Sequence, residues 1–289
     1  MKILVTGSTG FIGNHVVMWL IAHGYDVIAT GTSVEKAKTF SWFDKVTFIP
    51  CDYFNQYINY YTFFGCPDIL IHLAWKGLPN YMELFHIEQN LPIEMRFIRS
   101  FAESQKTKII VVGTCYEYGK VNGCISENQL TNPNTSYGLA KDTLRKHLTF
   151  LNVEYNFSWN WIRLFYMYGE GQNPKSLLSQ LNTAIINGDA EFPMSGGEQL
   201  RDYLSVEKVA EYICKITFSN YNGIVNCCSG NPISVKKLVE EYILANKSSI
   251  KLKTGVYDYS IYEGMAFWGD NTKLNEITGY NKCSNLYIL

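Results

Sequence analysis

The sequence predicts an α/β protein built on a doubly wound parallel sheet. Short apolar runs alternate with longer segments of helical character through about the first 165 residues. These runs are continuous rather than alternating between apolar and polar residues, as expected of strands buried on both faces. A glycine-rich turn follows the first run. With right-handed crossovers, this order of elements places helices on both faces of one parallel sheet.

The apolar runs give the elements of the first domain, 1–165. Predicted strands cover 2–6, 26–30, 46–50, 68–74, 108–113 and 158–164. Predicted helices cover 11–23, 82–104 and 136–151.

The regularity decays after about residue 165, where connections rich in Gly, Pro and Asn appear. Helices are predicted over 175–187, from near Val206, and over 235–245 with Ser234 as the N-cap. We therefore expect a smaller α/β C-terminal substrate lobe over 166–289, with the chain crossing between the lobes near 198–230.

Composition argues against several classes of function. A net charge of −1 offers no basic face for nucleic acid. No apolar run approaches the roughly 20 residues of a membrane span, and no secretory signal opens the chain. We therefore expect a cytoplasmic protein without a metal site. Its cysteines, which show no CxxC spacing, should be reduced and mostly buried; they are Cys51, Cys66, Cys115, Cys124, Cys214, Cys227, Cys228 and Cys283.

The turn after the first strand has three glycines in GxxGxxG spacing. Gly7 permits a tight turn, Gly10 lets the backbone approach a pyrophosphate, and Gly13 lets the helix pack closely on the sheet. The turn therefore predicts a dinucleotide site. Its expected contacts with the cofactor are Gly7, Thr9, Gly10, Phe11, Ile12 and Gly13.

The end of the second strand indicates which dinucleotide is bound. An NAD site usually has a carboxylate there, which binds the ribose 2′-hydroxyl. This chain instead has Thr32 and Ser33, followed by Lys36 and Lys38. Small hydroxyls and cations suit a 2′-phosphate, although the lysines also fit a solvated helix face. We therefore expect NADP(H) in preference to NAD(H), with Asp52 and Tyr53 near the adenine.

A tyrosine and a lysine of the helix at 136–151 form a possible catalytic pair. Tyr137 and Lys141 are i, i+4 neighbours on one helix face. A nearby ammonium should lower the pKa of the phenol from about 10, giving an acid that protonates an oxygen during hydride transfer. Thr114 follows the fifth strand at the sheet edge where ligands bind. Such a pair also arises by chance, but these features together predict Thr114, Tyr137 and Lys141 as the catalytic residues.

Several motifs make the sequence resemble the extended short-chain dehydrogenase/reductases, the group of nucleotide-sugar epimerases, dehydratases and reductases. The motifs are TGSTGFIG at 6–13, HLA at 72–74, Asn90, Thr114 with Tyr137-x-x-x-Lys141, R-x-F-x-x-YG at 163–169 and RDY at 201–203. The resemblance implies a Rossmann domain, a nucleotide-sugar lobe, and a homodimer formed through a four-helix bundle by the helices near 82–104 and 136–151. It also implies cofactor contacts at Leu73, Ala74, Asn90, Tyr137 and Lys141.

Departures from the family patterns narrow the expected reaction. Dehydratases of this group have Asp-Glu after the catalytic Thr, where this chain has Cys115 and Tyr116. The GDP-fucose synthase type needs a Cys at position 116 and a His in the sugar lobe, whereas all five histidines here precede residue 148. The remaining resemblance is to bacterial reductases of dTDP- or CDP-linked 4-keto-6-deoxyhexoses in surface-polysaccharide (lipopolysaccharide) biosynthesis. Two alternatives stay open: a 4-epimerase with retained NAD, and a non-catalytic cofactor-binding regulator.

The resemblance also implies a role for each site residue. NADPH would deliver a hydride to C4 of the sugar, and Tyr137 would donate a proton to the C4 oxygen. Thr114 would hold that oxygen. Lys141 would lower the pKa of Tyr137 and bind the ribose of the cofactor. Arg201 would pair with the diphosphate, unless it forms a salt bridge with Asp202 or another residue. Glu117 is expected to be structural. The other expected substrate contacts are Trp75, Tyr81, Tyr116, Tyr166, Gln172, Asn173 and Lys175.

Overall fold

A computed structural model describes residues 1–54 and 58–279. Its strands are β1 (Lys2–Thr6), β2 (Asp26–Gly31), β3 (Thr47–Pro50), β4 (Ile69–His72), β5 (Lys108–Thr114), β6 (Gly123–Ile125), β7 (Trp159–Leu164), β8 (Tyr166–Tyr168), β9 (Glu191–Pro193), β10 (Leu200–Ser205), β11 (Gly223–Cys227), β12 (Pro232–Ser234), β13 (Lys251–Lys253) and β14 (Phe267–Gly269). Its α-helices are α1 (Phe11–Ala22), α2 (Val34–Lys38), α3 (Tyr60–Phe63), α4 (Leu91–Ala102), α5 (Ser136–Tyr155), α6 (Leu177–Asn187), α7 (Val206–Phe218), α8 (Val235–Ala245) and α9 (Thr272–Thr278).

The central sheet is parallel and doubly wound, which confirms the predicted fold class. Its seven strands lie in the order β3-β2-β1-β4-β5-β7-β11. Alternate residues of each strand face opposite layers, so that Ile3 and Val5 pack with α1 and α7 while Leu4 packs with α4 and α5. The strand order reverses between β1 and β4, and a ligand crevice is expected at such a reversal.

The C-terminal part combines small sheets with helices. A three-stranded sheet has the order β12-β10-β8, β13 pairs with β9, and β14 pairs with β6. Leu181, Phe192 and Leu238 belong to a separate apolar cluster between α6, α8 and these strands. The chain also returns to the first domain, because α7 packs on the α1 layer and β11 pairs with β7. Residues 280–289 of the predicted C-terminal lobe lie outside the described residues.

Two helix predictions differ from the structure. The helix expected over 82–104 is a π-helical turn at His86–Asn90 followed by α4, and Pro92 lies in the first turn of α4. Proline fits there because a first-turn N–H has no partner within the helix. The helix expected at 175–187 begins at Leu177. Ser234 caps α8 as predicted, accepting a hydrogen bond from the Lys237 amide.

The prediction of mostly buried cysteines holds for five residues, Cys51, Cys115, Cys214, Cys227 and Cys228. It is wrong for Cys66 and Cys124, which are exposed. Cys66 follows α3, and Cys124 is the middle residue of β6, on the face opposite the buried Ile125. Cys283 is outside the described residues. Within residues 1–54 and 58–279, no helix has the length and apolar character needed to cross a bilayer.

We predict that Gly13→Ala destabilises the protein because a Cβ at this position would lie 2.1 Å from the Gly7 carbonyl oxygen. Overpacking of this kind costs about 1–3 kcal/mol, which outweighs the roughly 1 kcal/mol by which alanine favours a helix. Urea unfolding of the ligand-free protein measures the loss. Gly10→Ala is the control, since its Cβ would meet the same oxygen at 3.1 Å and should cost less. Equal stability of the two variants would contradict the close packing of α1 on the turn.

Candidate active site

The glycine turn and the end of β4 meet at the reversal of strand order. Gly7 has a φ of +66°, and a Cβ there would lie 2.9 Å from the Ala74 amide nitrogen. Helix α1 begins directly after Gly10, so its unpaired N–H groups open onto this crevice. The turn, Leu73 and Ala74 therefore form one cradle that a side chain would fill. That geometry fits the pyrophosphate of a dinucleotide.

The end of β2 carries hydroxyls and exposed cations. Ser33 caps α2 by accepting a hydrogen bond from the Lys36 amide at 3.1 Å, and Lys36 itself is exposed. Lys38 pairs with Glu35 at 3.0 Å. The sequence places no acidic side chain at residues 30–34, so this edge presents Thr32 and Ser33 to any ribose bound there.

Asp52 and Tyr53 follow β3 and lie in different environments. Asp52 pairs with Lys76 at 3.0 Å at the surface. Tyr53 is buried, and its hydroxyl donates to Glu94 at 2.9 Å. The side chain of Tyr53 thus belongs to the core, which contradicts its predicted contact with the adenine except through its backbone. Asn90 is also buried and donates to the Lys76 carbonyl at 2.9 Å, so it fixes the loop after β4.

A buried chain of hydrogen bonds lies beneath the cradle. Thr6 Oγ1 contacts His72 Nδ1 at 2.8 Å, and His72 Nε2 contacts Glu94 Oε2 at 2.7 Å. The Thr6 oxygen also accepts from the amides of Leu73 and Ala74. With Nε2 protonated, His72 donates to the carboxylate and accepts from Thr6, so every contact is satisfied. This chain ties α4 to the ends of β1 and β4.

Tyr137 lies in an enclosure of aromatic rings at the start of α5. Thr135 caps the helix by accepting from the Gly138 amide, and the Tyr137 amide donates to the Tyr81 carbonyl at 2.9 Å. Centroid distances from its ring are 5.4 Å to His86, 5.7 Å to Tyr81, 5.8 Å to Trp75 and 6.3 Å to Tyr116. The structure therefore brings Trp75, Tyr81 and Tyr116 together around Tyr137.

The enclosure raises the pKa of Tyr137 above its ordinary value, mainly by burial and further through Tyr81 and Glu117. A hydrogen bond with Thr114 acts in the opposite direction and is weaker. The expectation of a lowered pKa is thus wrong for the protein alone, because desolvation of the phenolate dominates. Tyr137 is a neutral phenol, the form that can give a proton.

Lys141 lies one helical turn beyond Tyr137 and is almost completely buried. Its Nζ donates to the Val112 carbonyl at 2.9 Å and lies 4.1 Å from the centre of the Trp75 ring. Burial lowers the pKa of Lys141 to about 8, although the carboxylates of Glu94 and Glu117 favour its charged form. The ammonium and the ring form a cation–π contact that helps to hold the charge inside the protein.

Thr114 is fixed by a capping box at the end of β5. Its amide donates to Glu117 Oε1 at 2.8 Å, and its hydroxyl accepts from the Tyr116 amide at 3.3 Å. Glu117 is fully buried, accepts from Trp161 Nε1 at 2.9 Å and pairs with Arg163 at 2.7 Å. Glu117 therefore has the structural role expected of it. The Thr114 hydroxyl also hydrogen-bonds the Tyr137 hydroxyl, so the two side chains face the same position.

Arg201 forms a salt bridge, one of the two alternatives considered for it from the sequence. Its partner is Glu263 and not the neighbouring Asp202. Its Nη2 contacts Glu263 Oε2 at 2.8 Å, while Asp202 instead accepts from Ser229 and Gly230. Tyr116 donates to the other oxygen of Glu263 at 2.5 Å. The partners are 62 residues apart, and no spacing pattern announces such a pair. Tyr166 lies beside this group, with its ring 5.6 Å from the Arg201 guanidinium.

Gln172, Asn173 and Lys175 lie in the turn before α6. Gln172 donates to the Met167 carbonyl at 2.8 Å, and Asn173 accepts from the Lys175 amide at 2.9 Å. These contacts hold the turn, and the Lys175 side chain is exposed. The turn approaches α1 through His15, whose Nε2 lies 3.1 Å from the Glu170 carbonyl oxygen. No group of potential metal ligands occurs within residues 1–54 and 58–279.

Comparison with known proteins agrees with this fold. The model of the NAD dependent epimerase/dehydratase family matches residues 3–228. The chain belongs to this enzyme family, which confirms the resemblance found in its motifs.

Individual relatives are similar over most of the chain. It is 31% identical over 270 residues to a dTDP-6-deoxy-L-talose 4-dehydrogenase (NAD(+)) of Aggregatibacter actinomycetemcomitans, covering 93% of this chain and 99% of the relative. It is 25% identical to a dTDP-4-dehydro-6-deoxyglucose reductase of Escherichia coli, covering 88% and 85%. A solved UDP-N-acetylglucosamine 4-epimerase of Methanobrevibacter ruminantium, in complex with UDP-N-acetylmuramic acid, superposes with a TM-score of 0.86 at 23% identity, covering 96% and 91%. This last likeness establishes the fold alone.

Proposed function

We propose that the protein reduces the 4-keto group of a dTDP- or CDP-linked 4-keto-6-deoxyhexose, with NADPH, in the cytoplasmic biosynthesis of sugars for bacterial surface polysaccharides. The observation that carries this proposal is that Tyr137 hydrogen-bonds Thr114 and shares the ring of Trp75 with Lys141, next to Ala74 of the glycine cradle. Two relatives support the substrate class, since their names describe a dTDP-6-deoxy-L-talose 4-dehydrogenase and a dTDP-4-dehydro-6-deoxyglucose reductase.

The side chains divide the reaction between them. A bound reduced nicotinamide supplies the hydride for C4. Tyr137, a neutral phenol, donates a proton to the C4 oxygen as negative charge develops there. The Thr114 hydroxyl, whose oxygen already accepts from Tyr116, donates to the same oxygen and orients it. Lys141 supplies positive charge beneath Tyr137 and stabilises the phenolate that remains.

Reduction would use Tyr137 as an acid, and the reverse reaction would use the same residue as a base. A neutral phenol is ready to act as an acid, whereas oxidation of an alcohol needs a base. A 4-epimerase must perform both half-reactions on one retained cofactor, and several relatives have epimerase names, such as a putative UDP-glucose 4-epimerase of Methanocaldococcus jannaschii at 27% identity. The retained cofactor is therefore the feature that separates the two functions.

The preference for NADPH over NADH rests on the end of β2. Thr32, Ser33 and the exposed Lys36 offer hydroxyls and positive charge to a 2′-phosphate, and no carboxylate in residues 30–34 competes for the ribose. The name of the Aggregatibacter relative includes NAD(+). Comparing the rates with NADPH and NADH therefore tests whether this chain differs from that relative in its cofactor.

A substrate panel tests the proposed activity. We expect oxidation of NADPH, faster than that of NADH, with dTDP- or CDP-4-keto-6-deoxy sugars among a panel that includes the GDP and UDP forms. Tyr137→Phe should lower kcat by about a hundredfold or more because the proton donor is lost. Tyr155→Phe, at the other end of α5, is the matched control and should leave kcat unchanged. Absence of cofactor oxidation across the panel would remove the proposal, and nicotinamide released only by denaturing the purified protein would support the epimerase.

The reduction rate should fall as pH rises through about 8, the lowered pKa of Lys141. Below that pH the ammonium is charged and stabilises the Tyr137 phenolate as it forms; above it the charge is lost and the barrier rises. The measurement is kcat against pH at saturating substrate. Lys141→Gln should be slower and show no such fall. A wild-type rate that stays level or increases through this range would contradict the assigned role.

The resemblance to dimeric relatives also leads us to propose a homodimer formed by α4 and α5. These helices pack on each other through the core, and α5 exposes an apolar stripe at Leu139 (43%), Phe150 (74%) and Val153 (85%). Burying such a stripe against a second copy would be favourable.

Light scattering after size exclusion tests the dimer. Wild-type protein should have twice the chain mass, and Phe150→Glu should shift it to the monomer because a charge would enter the interface. Leu130→Glu changes an equally exposed residue outside α5 (84%) and should leave the mass unchanged. A wild-type monomer would rule out this assembly.

A further inference from the structure

Residues 257–266, which we call the strap, run along one side of the tyrosine enclosure. Lys120 Nζ donates to the Ile261 carbonyl at 3.1 Å, and Asn134 Nδ2 donates to the Tyr262 carbonyl at 3.0 Å. The Tyr262 ring lies 6.1 Å from the ring of Tyr116. The strap is therefore fastened to two loops, one before β6 and one before α5, and lies next to Tyr116.

Glu263 of the strap is clamped between a cation and a phenol. One carboxylate oxygen contacts Arg201 Nη2 at 2.8 Å, and the other accepts from the Tyr116 hydroxyl at 2.5 Å. The side chain of Glu263 is 13% exposed and that of Arg201 is 5% exposed. Because water is largely excluded, this pair is stronger than an ion pair at the protein surface.

Both terminal nitrogens of Arg201 already donate hydrogen bonds in this arrangement. Nη1 donates to the carbonyls of Leu200 at 2.9 Å and Met265 at 3.3 Å, while Nη2 donates to Glu263. A guanidinium binds a phosphate or a carboxylate through the same N–H groups. An anionic ligand that used Nη2 would therefore compete directly with the Glu263 carboxylate.

The negative charge of Glu263 also disfavours binding of a second anion beside Arg201. Arg201 and Glu263 cancel, so the phosphates of a nucleotide sugar would approach a neutral pair with a carboxylate at its centre. Binding beside that carboxylate would bring like charges together in a poorly solvated place, which is costly. Binding after the carboxylate has left would instead give the phosphates a free guanidinium.

We propose that Glu263 holds the position at Arg201 that the diphosphate of a nucleotide sugar takes, so that the substrate binds only by displacing the strap carboxylate. This inference rests on the proposed nucleotide-sugar substrate, and it adds that the Glu263 carboxylate competes with the substrate diphosphate for Arg201. Glu263 lowers the affinity for every nucleoside diphosphate, and it keeps Arg201 paired when the site is empty.

Calorimetric titration of dTDP and of UDP into wild-type protein and Glu263→Gln tests the proposal. Glutamine keeps the shape but removes the competing charge, so the Kd of the variant should be about tenfold lower, the order expected for a largely buried pair. Asp258→Asn is the matched control because it removes the same charge from an exposed position of the strap, and its Kd should equal that of the wild type. An equal or higher Kd for Glu263→Gln would overturn the proposal and would indicate instead that Glu263 helps to position Arg201.

Asn134→Ala provides a second measurement that does not depend on how Glu263→Gln folds. It removes one anchor of the strap and should also lower the Kd, by a smaller factor; an unchanged Kd there counts against displacement. If the wild type binds a diphosphate and neither strap variant binds it more tightly, the inference fails while the proposed function stands. If neither nucleotide binds the wild type or any variant, the nucleotide-sugar function fails as well.

Discussion

The buried carboxylate of Glu117 holds together the strand ends on which the site depends. It accepts hydrogen bonds from the Thr114 amide at the end of β5 and from Trp161 in β7. It also forms an ion pair with Arg163 of β7. Removing one partner of such a buried pair costs about 3–5 kcal/mol, because the other charge is left unpaired. A Cβ at Gly113 would lie 2.3 Å from Glu117 Oε1, so the backbone of β5 has little freedom here. The position of the Thr114 hydroxyl follows from this arrangement.

Glu94 plays a corresponding part on the other side of the site. Through His72 it reaches Thr6 beneath the glycine cradle, and its charge, like that of Glu117, favours the protonated form of Lys141. A buried ammonium is costly unless opposite charge lies near it. The two carboxylates supply that charge to Lys141, so the glycine cradle and the surroundings of Tyr137 share one electrostatic framework.

The sequence predicted the central sheet closely, because continuous apolar runs are a strong sign of strands buried on both faces. The observed β1, β2, β5 and β7 match the predicted strands to within about a residue. It also predicted the cluster of Thr114, Tyr137 and Lys141, since strand ends meet at one sheet edge and i, i+4 spacing fixes the pair. Spacing did not reveal the partners of buried charges. Tyr53 was placed near the adenine, whereas its hydroxyl belongs to Glu94, and nothing local to Arg201 pointed to Glu263.

By itself, then, the sequence determined the fold class and the position of the glycine turn, and it proposed Thr114, Tyr137 and Lys141 as the catalytic set, because each of these depends on periodicity or short-range spacing. Only the tertiary structure decided the direction in which the pKa of Tyr137 shifts, since burial among Trp75, Tyr81, His86 and Tyr116 raises it against the effect expected from Lys141. It also decided that Arg201 faces a carboxylate from 62 residues away. Desolvation and long-range ion pairs depend on which distant segments pack together in the fold. The spacing of residues along the chain does not reveal those contacts.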